Sequence, residues 1–125
     1  MKVLHYSLGF PPYRSGGLTK FALDLMREQL NEGNEVALLW PGEMKLFNKA
    51  VGVRNSSDFE NIKSFELINS LPISYDEGIE NILAFTASCD GAVYRKFLET
   101  LKPDVVHIHT FMGLHKEFLE EAKKL

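Results

Sequence analysis

Two sets of residues in this sequence have types and spacing that could do chemistry: two histidines near the C-terminal end and two adjacent glycines near the N-terminal end. His107 and His109 lie in the apolar run "PDVVHIHT". Because side chains alternate along a β-strand, we expect both imidazoles to lie on one face. Ligands of open parallel sheets bind beyond the carboxyl ends of the strands, and His109 is the later of the two. His109 is therefore the predicted functional histidine, and His107 is predicted to pack.

A third histidine, His5, belongs to the apolar run "KVLHYSL". Imidazole nitrogens are good Zn²⁺ ligands, so His5, His107 and His109 could together form a metal site. The alternative is that all three are hydrogen-bonded histidines of the sheet. We favour that alternative because no carboxylate or cysteine lies at ligand spacing, and the sequence predicts no metal site. His115, at the start of a predicted helix, shows no sign of function.

The glycine pair Gly16 and Gly17 stands directly before the amphipathic segment "GLTKFALDLMREQLNEG". Residues without Cβ atoms at a strand-to-helix junction let an anion approach the free backbone N–H groups and the positive end of the helix. The pair therefore predicts a binding site for an anion the size of a phosphate, although a tight turn explains two glycines equally well. The segment matches neither the GxGxxG fingerprint nor the P-loop.

The elements that must position these residues follow from hydrophobic patterning. Short apolar runs predict three β-strands, "KVLHYSL", "EVALLW" and "PDVVHIH", and "KSFELIN" predicts a further strand. Three segments predict helices: "GLTKFALDLMREQLNEG" with Gly33 as C-cap, "GAVYRKFLETLK" between an Asp90 N-cap and Pro103, and "HKEFLEEAKKL". Beyond "KSFELIN", little structure is predicted for residues 44–88. The expected fold class is α/β, with a Rossmann-like open, mostly parallel sheet flanked by helices.

The bulk composition narrows the class of protein. A chain of 125 residues is long enough for one domain, and no apolar stretch approaches the roughly 20 residues that span a bilayer. A net charge of −3 gives no general attraction to nucleic acid or anionic lipid, so no nucleic-acid partner is expected. The single cysteine, Cys89, excludes an intrachain disulfide, fits the reducing cytoplasm and is interpreted as a packed residue.

Taken together, "GFPPYRSGG" after the first strand, the amphipathic helix, "EGNEVALLWPG" and "LKPDVVHIHT" resemble the N-terminal lobe of retaining nucleotide-sugar glycosyltransferases with the GT-B fold, the large family four. The resemblance spans most of the chain, and its most specific parts are "PPYRSGG" and "PDVVHIHT". Residues 44–88 match nothing specific, as expected for the variable loops of that lobe.

The resemblance implies roles for particular residues. The glycine-rich loop of such enzymes lies close to the donor diphosphate, which places Gly16 and Gly17 there, and the second histidine of the strand end, His109, contacts the donor sugar. The remaining residues implied to line the cleft or to meet the acceptor are Tyr13, Arg14, Ser15, Lys20, Thr110 and Phe111. Lys20 has a simpler interpretation as a solvated surface lysine.

The same resemblance implies a second, C-terminal lobe that holds the nucleotide, and this chain lacks it. Residues 1–125 are therefore expected to be the acceptor-side lobe of a longer enzyme, inactive alone, which needs no cofactor beyond its nucleotide-sugar co-substrate. Its expected partners are a nucleotide-diphosphate sugar and a glycan, lipid-linked or small-molecule acceptor. The expected location is the cytoplasm, with peripheral attachment at the inner membrane face as an option for the full-length enzyme. Two other classes stay open: a non-catalytic phosphate- or protein-binding module and a metal-dependent hydrolase that uses the histidines.

Overall fold

The computed structural model describes residues 1–10, 16–42, 51–69 and 91–124. Along these residues the elements are β1 (Lys2–Tyr6), α1 (Gly17–Asn31), β2 (Glu35–Pro41), β3 (Gly52–Asn55), β4 (Lys63–Ile68), α2 (Ala92–Leu101), β5 (Val105–Ile108) and α3 (Lys116–Lys123). Within the described ranges, no helix combines the length and the apolar character that crossing a membrane requires. Cys89, predicted to be packed, lies outside them.

The five described strands form one sheet in the order β3-β4-β2-β1-β5. β1 pairs in parallel with β2 and β5, β2 pairs in parallel with β4, and β3 alone runs antiparallel, against β4. The predicted α/β class, an open and mostly parallel sheet flanked by helices, is confirmed. The strand order reverses between β1 and β5, which makes their carboxyl ends the topological switch point where such sheets bind ligands.

Helices cover both faces of the sheet, and strand alternation divides the apolar side chains between them. The α1 side has a core of Ala22, Leu23, Met26, Val36, Leu38 and Ile62. The side of α2 and α3 has a larger core of Leu4, Tyr6, Ala37, Leu39, Leu67, Tyr94, Phe97, Leu98, Leu101, Leu114 and Phe118. Because Leu4 and Tyr6 face α2 and α3, the residue between them, His5, faces α1.

The helix ends differ from the predictions by single residues. The C-cap of α1 is Glu32, and Gly33 follows it with a φ of +90°, so the predicted C-cap lies one position too late. Glycine is favoured at that next position because it has no Cβ to oppose positive φ. The N-cap position of α2 is Gly91 instead of the predicted Asp90, which lies outside the described residues.

The predicted strand "KSFELIN" is confirmed as β4. β3 was not predicted. Its residues Gly52–Asn55 are only partly buried and pair along one edge of the sheet, where little apolar patterning is needed. The third predicted helix is confirmed as α3, with His115 at its N-cap position.

Candidate functional site

Three histidines converge on one face of the sheet at the switch point. His5 of β1 lies directly opposite His107 of β5 in the parallel register. His109 follows β5, where its backbone N–H donates a hydrogen bond to the Tyr6 carbonyl at 2.9 Å. The ring centroids of His107 and His109 are 4.1 Å apart, and that of His5 lies 5.3 Å and 5.1 Å from them. The predicted shared face of His107 and His109 is confirmed, and we call the three residues the histidine triad.

Hydrogen bonds orient the triad from the helix side. Gln29 on α1 places its Oε1 2.6 Å from Nε2 of the fully buried His5, and His5 Nδ1 lies 2.9 Å from His109 Nε2. The Gln29 Oε1 atom can only accept, so His5 Nε2 carries the proton and His5 Nδ1 keeps its lone pair. His109 then donates from Nε2, which leaves its own Nδ1 as an acceptor.

Two of the three imidazoles, those of His5 and His109, favour the neutral form because burial lowers their pKa. The pKa of His109 is lowered to about 4, chiefly by burial and further by its neighbours His107 and His5. Burial also lowers the pKa of His5, against the opposing effect of its hydrogen bond to Gln29. A neutral imidazole can donate and accept hydrogen bonds at its two nitrogens, or offer a lone pair to an electrophile.

Gln29 was not among the residues predicted to act at the site. Its signal in the sequence is weak: it interrupts the apolar stripe of α1 three residues after the buried Met26. A polar residue on the inner stripe of an amphipathic helix needs a partner, and only the fold shows that the partner is His5.

The glycine pair starts α1, as predicted, but its two members are not equivalent. Gly16 is the N-cap residue with φ +104° and ψ 174°, a conformation that residues with a Cβ rarely adopt. An alanine at position 16 would therefore be strained. Gly17 has no positive φ, and a Cβ built on it meets no described atom within 4 Å. Backbone geometry therefore explains Gly16, whereas no contact with a described residue explains Gly17.

A cavity of about 460 Å³ opens beside the first turns of α1. It is lined by Gly16, Gly17, Thr19, Lys20, Leu23, Asp24 and Arg27. The Thr19 hydroxyl is buried, with 1 % of the residue exposed, and has no hydrogen-bond partner among the described residues. Lys20 is bound to Asp24 at 2.6 Å with its side chain 78 % exposed, as expected for a surface lysine. The cavity thus lies between the glycine start of α1 and the side chains of Lys20, Asp24 and Arg27, in which the Asp24 carboxylate pairs with both cations.

The beginning of α1 and the histidine triad border the same end of the sheet. The Phe21 ring meets the His109 ring edge-on, with centroids 6.1 Å apart. Phe21 lies one helical turn after Gly17, a rise of about 6 Å. Phe21 therefore connects the start of α1 to the triad.

The other predicted cleft residues have mixed outcomes. Tyr13, Arg14 and Ser15 lie outside the described residues. The Thr110 hydroxyl accepts a hydrogen bond from the Met112 backbone N–H at 3.2 Å, which stabilises the turn after β5. Phe111 in that turn is 56 % exposed, so a large apolar ring stands beside the triad strand.

His115 lies apart from the triad, as a structural residue. Its Nδ1 is 2.6 Å from the Tyr94 hydroxyl in the core between α2 and α3, and burial lowers its pKa.

No family model matches this sequence, and no curated protein matches it at a significant level. The function is therefore inferred from the chemistry of the site.

Proposed function

We propose that this chain is the N-terminal, acceptor-side lobe of a retaining GT-B glycosyltransferase, which moves a sugar from a nucleotide-diphosphate donor to a glycan, lipid-linked or small-molecule acceptor. The observation that carries the proposal is the convergence of two ligand-binding features at the switch point of the sheet. One is the glycine start of α1, and the other is His109 at the carboxyl end of β5.

The start of α1 offers hydrogen-bond donors that suit a diphosphate. The first backbone N–H groups of a helix have no intrahelical partner and point along the positive end of the dipole. Thr19 lines the same cavity, and its buried hydroxyl has no hydrogen-bond partner among the described residues. A Cβ on Gly17 would meet no described atom within 4 Å, so among these residues the missing side chain is explained better by the approach of an anion than by packing.

His109 is suited to orient the donor sugar. Its Nε2 is engaged by His5, and its Nδ1 accepts a hydrogen bond from a sugar hydroxyl. Because the imidazole is neutral, it holds the sugar without adding charge beside the diphosphate. The leaving diphosphate is stabilised by preorganised backbone donors, which cost no reorganisation during the reaction.

A second lobe completes the site in this proposal. It carries the nucleotide and closes over the diphosphate, while the acceptor meets the cleft near Phe111. The full-length enzyme is cytoplasmic, with the inner membrane face as an option where the acceptor is lipid-linked.

The test is a transfer assay on the polypeptide that joins this lobe to its nucleotide-binding lobe, with a panel of nucleotide sugars. We expect Gly17→Val to abolish transfer and His109→Ala to lower turnover by about an order of magnitude or more, the effect of losing a positioned hydrogen bond. Lys96→Ala, on the exposed face of α2, is the matched control and leaves turnover unchanged.

Two results would contradict the proposal. Full activity in both Gly17→Val and His109→Ala would separate the chemistry from this end of the sheet. Phosphate binding without transfer of any sugar would instead assign the chain to the non-catalytic binding modules.

A further inference from the structure

We infer that the imidazoles of His5, His107 and His109 form a binding site for a divalent transition-metal ion of the Zn²⁺ type. The inference goes beyond the proposed sugar transfer and does not depend on it. The sequence alone favoured hydrogen-bonded histidines, because no carboxylate or cysteine lies at ligand spacing.

The geometry brings three nitrogen ligands together. Each histidine of the triad offers one ring nitrogen, and these three nitrogens all lie within 4.8 Å of one another. Zinc–nitrogen bonds of about 2.0–2.1 Å in a tetrahedral site separate the nitrogens by about 3.3 Å. His5 Nδ1 and His109 Nε2 are 2.9 Å apart, and rotation of the stacked His107 and His109 rings would turn the three lone pairs towards one point.

The tautomer of His5 is already set for coordination. Gln29 accepts the Nε2 proton of His5, so the Nδ1 lone pair points into the triad. Histidine ligands characteristically donate their other ring N–H to an oxygen in this manner, which fixes the ring and raises its basicity. Gln29 is therefore the positioning residue of this site.

His107 distinguishes a metal site from a simple hydrogen-bonded pair. The 2.9 Å contact joins His5 and His109, whereas His107 stacks on His109, is tilted against His5 and has no side-chain hydrogen bond to another described residue. A metal ion gives that third imidazole a role. It also replaces the His5–His109 hydrogen bond by two coordinate bonds.

The donor set and its exposure indicate the class of ion. Three imidazoles suit Zn²⁺, Co²⁺, Ni²⁺ and Cu²⁺, whereas Mg²⁺ and Ca²⁺ prefer oxygen ligands. His5 is fully buried, but His107 and His109 are partly exposed, so an ion has a route to the site and a position left for water. Since His109 serves both sites, a bound ion would compete with the donor sugar.

The test is a titration of the tag-free chain, stripped with a chelator, followed by calorimetry with Zn²⁺ and by the visible spectrum with Co²⁺. We expect one ion per chain, an intense Co²⁺ spectrum typical of tetrahedral coordination, and no binding of Mg²⁺. His107→Gln and His109→Gln are each expected to weaken Zn²⁺ binding by at least about tenfold. Both positions are partly exposed, so these variants test the site even if His5→Gln fails to fold.

The matched control is His115→Gln, which removes the remaining histidine of the chain and leaves the triad intact. It is expected to bind Zn²⁺ as the unsubstituted protein does. The inference is overturned if no ion binds, if His107→Gln and His109→Gln bind with unchanged affinity, or if His115→Gln weakens binding as much as they do.

Discussion

His5 Nδ1 lies 2.9 Å from His109 Nε2, although 104 positions separate the two residues in the chain. The contact exists because β1 and β5 are parallel neighbours at the point where the strand order reverses. It joins an inner strand of the sheet to the loop that follows β5. The proposed sugar contact and the inferred metal site both depend on this contact.

Replacing the two glycines separately distinguishes backbone geometry from ligand access. We expect Gly16→Ala to lower the free energy of unfolding by about 1–2 kcal/mol, because its φ of +104° is unfavourable for a residue with a Cβ. Gly17→Ala is expected to change it by less than about 0.5 kcal/mol, since its Cβ would stand in open space. Urea unfolding of both variants measures the difference, and equal destabilisation would contradict it.

Removing the Gln29 carbonyl tests the orientation of His5. Gln29→Leu leaves the buried Nε2–H of His5 without an acceptor, so we expect a loss of about 1–3 kcal/mol in the free energy of unfolding. Zn²⁺ affinity falls about tenfold in the same variant. Gln29→Glu keeps an acceptor at this position and is the conservative control. If both variants bind Zn²⁺ equally well, Gln29 does not position the triad.

Stability of the metal-free chain is expected to fall as the pH decreases from about 6.5 towards 4. The pKa of His109 is lowered to about 4, and those of His5 and His115 are lowered chiefly by burial. The unfolded chain therefore binds more protons in this interval than the folded chain, and the free energy of unfolding decreases as protons are added.

The pH dependence is measured by urea unfolding at a series of pH values with a chelator present. Substituting His109 by Gln removes one of these groups, so its profile should be flatter than that of the unsubstituted protein. A profile of unchanged slope would show that His109 is not a source of the pH dependence.

The chain alone is expected to bind a nucleotide sugar no more tightly than about millimolar and to transfer no sugar. The cavity beside α1 gives the phosphates a single wall, and hydrogen bonds exposed to water contribute far less than those in a closed site. An NMR titration that follows the Gly17 and Thr19 amides measures the binding. Micromolar affinity or sugar transfer by these 125 residues would contradict a divided active site.

Apolar runs and their spacing were enough to predict the architecture. Strands β1, β2 and β5 are continuous apolar runs, and α1 has a clear stripe through Ala22 and Met26, so both element types were predictable. Strand alternation likewise predicted that His107 and His109 share a face. β3 escaped prediction because a short, partly exposed edge strand has little pattern.

The site itself was only partly predictable. The Gln29–His5 hydrogen bond depends on how α1 is rotated against the sheet, which is decided by packing across the α1-side core. The register that places His5 beside His107 depends on the order of the strands, which periodicity does not contain. The positive φ of Gly16 arises at the junction between loop and helix. Two adjacent glycines in a sequence do not show which of them adopts it.

The position of β5 at the border of the described sheet has a mechanical consequence. β1 is held by a strand on each side, whereas β5 has one described neighbour, and local opening in sheets starts at such borders. The triad therefore connects an imidazole on an inner strand to one on β5 and one directly after it, beside a strand with a single described neighbour. A ligand that binds His5 together with His107 and His109 would slow hydrogen exchange along Val105–Ile108. Exchange in β1, which is paired on both sides, would change little.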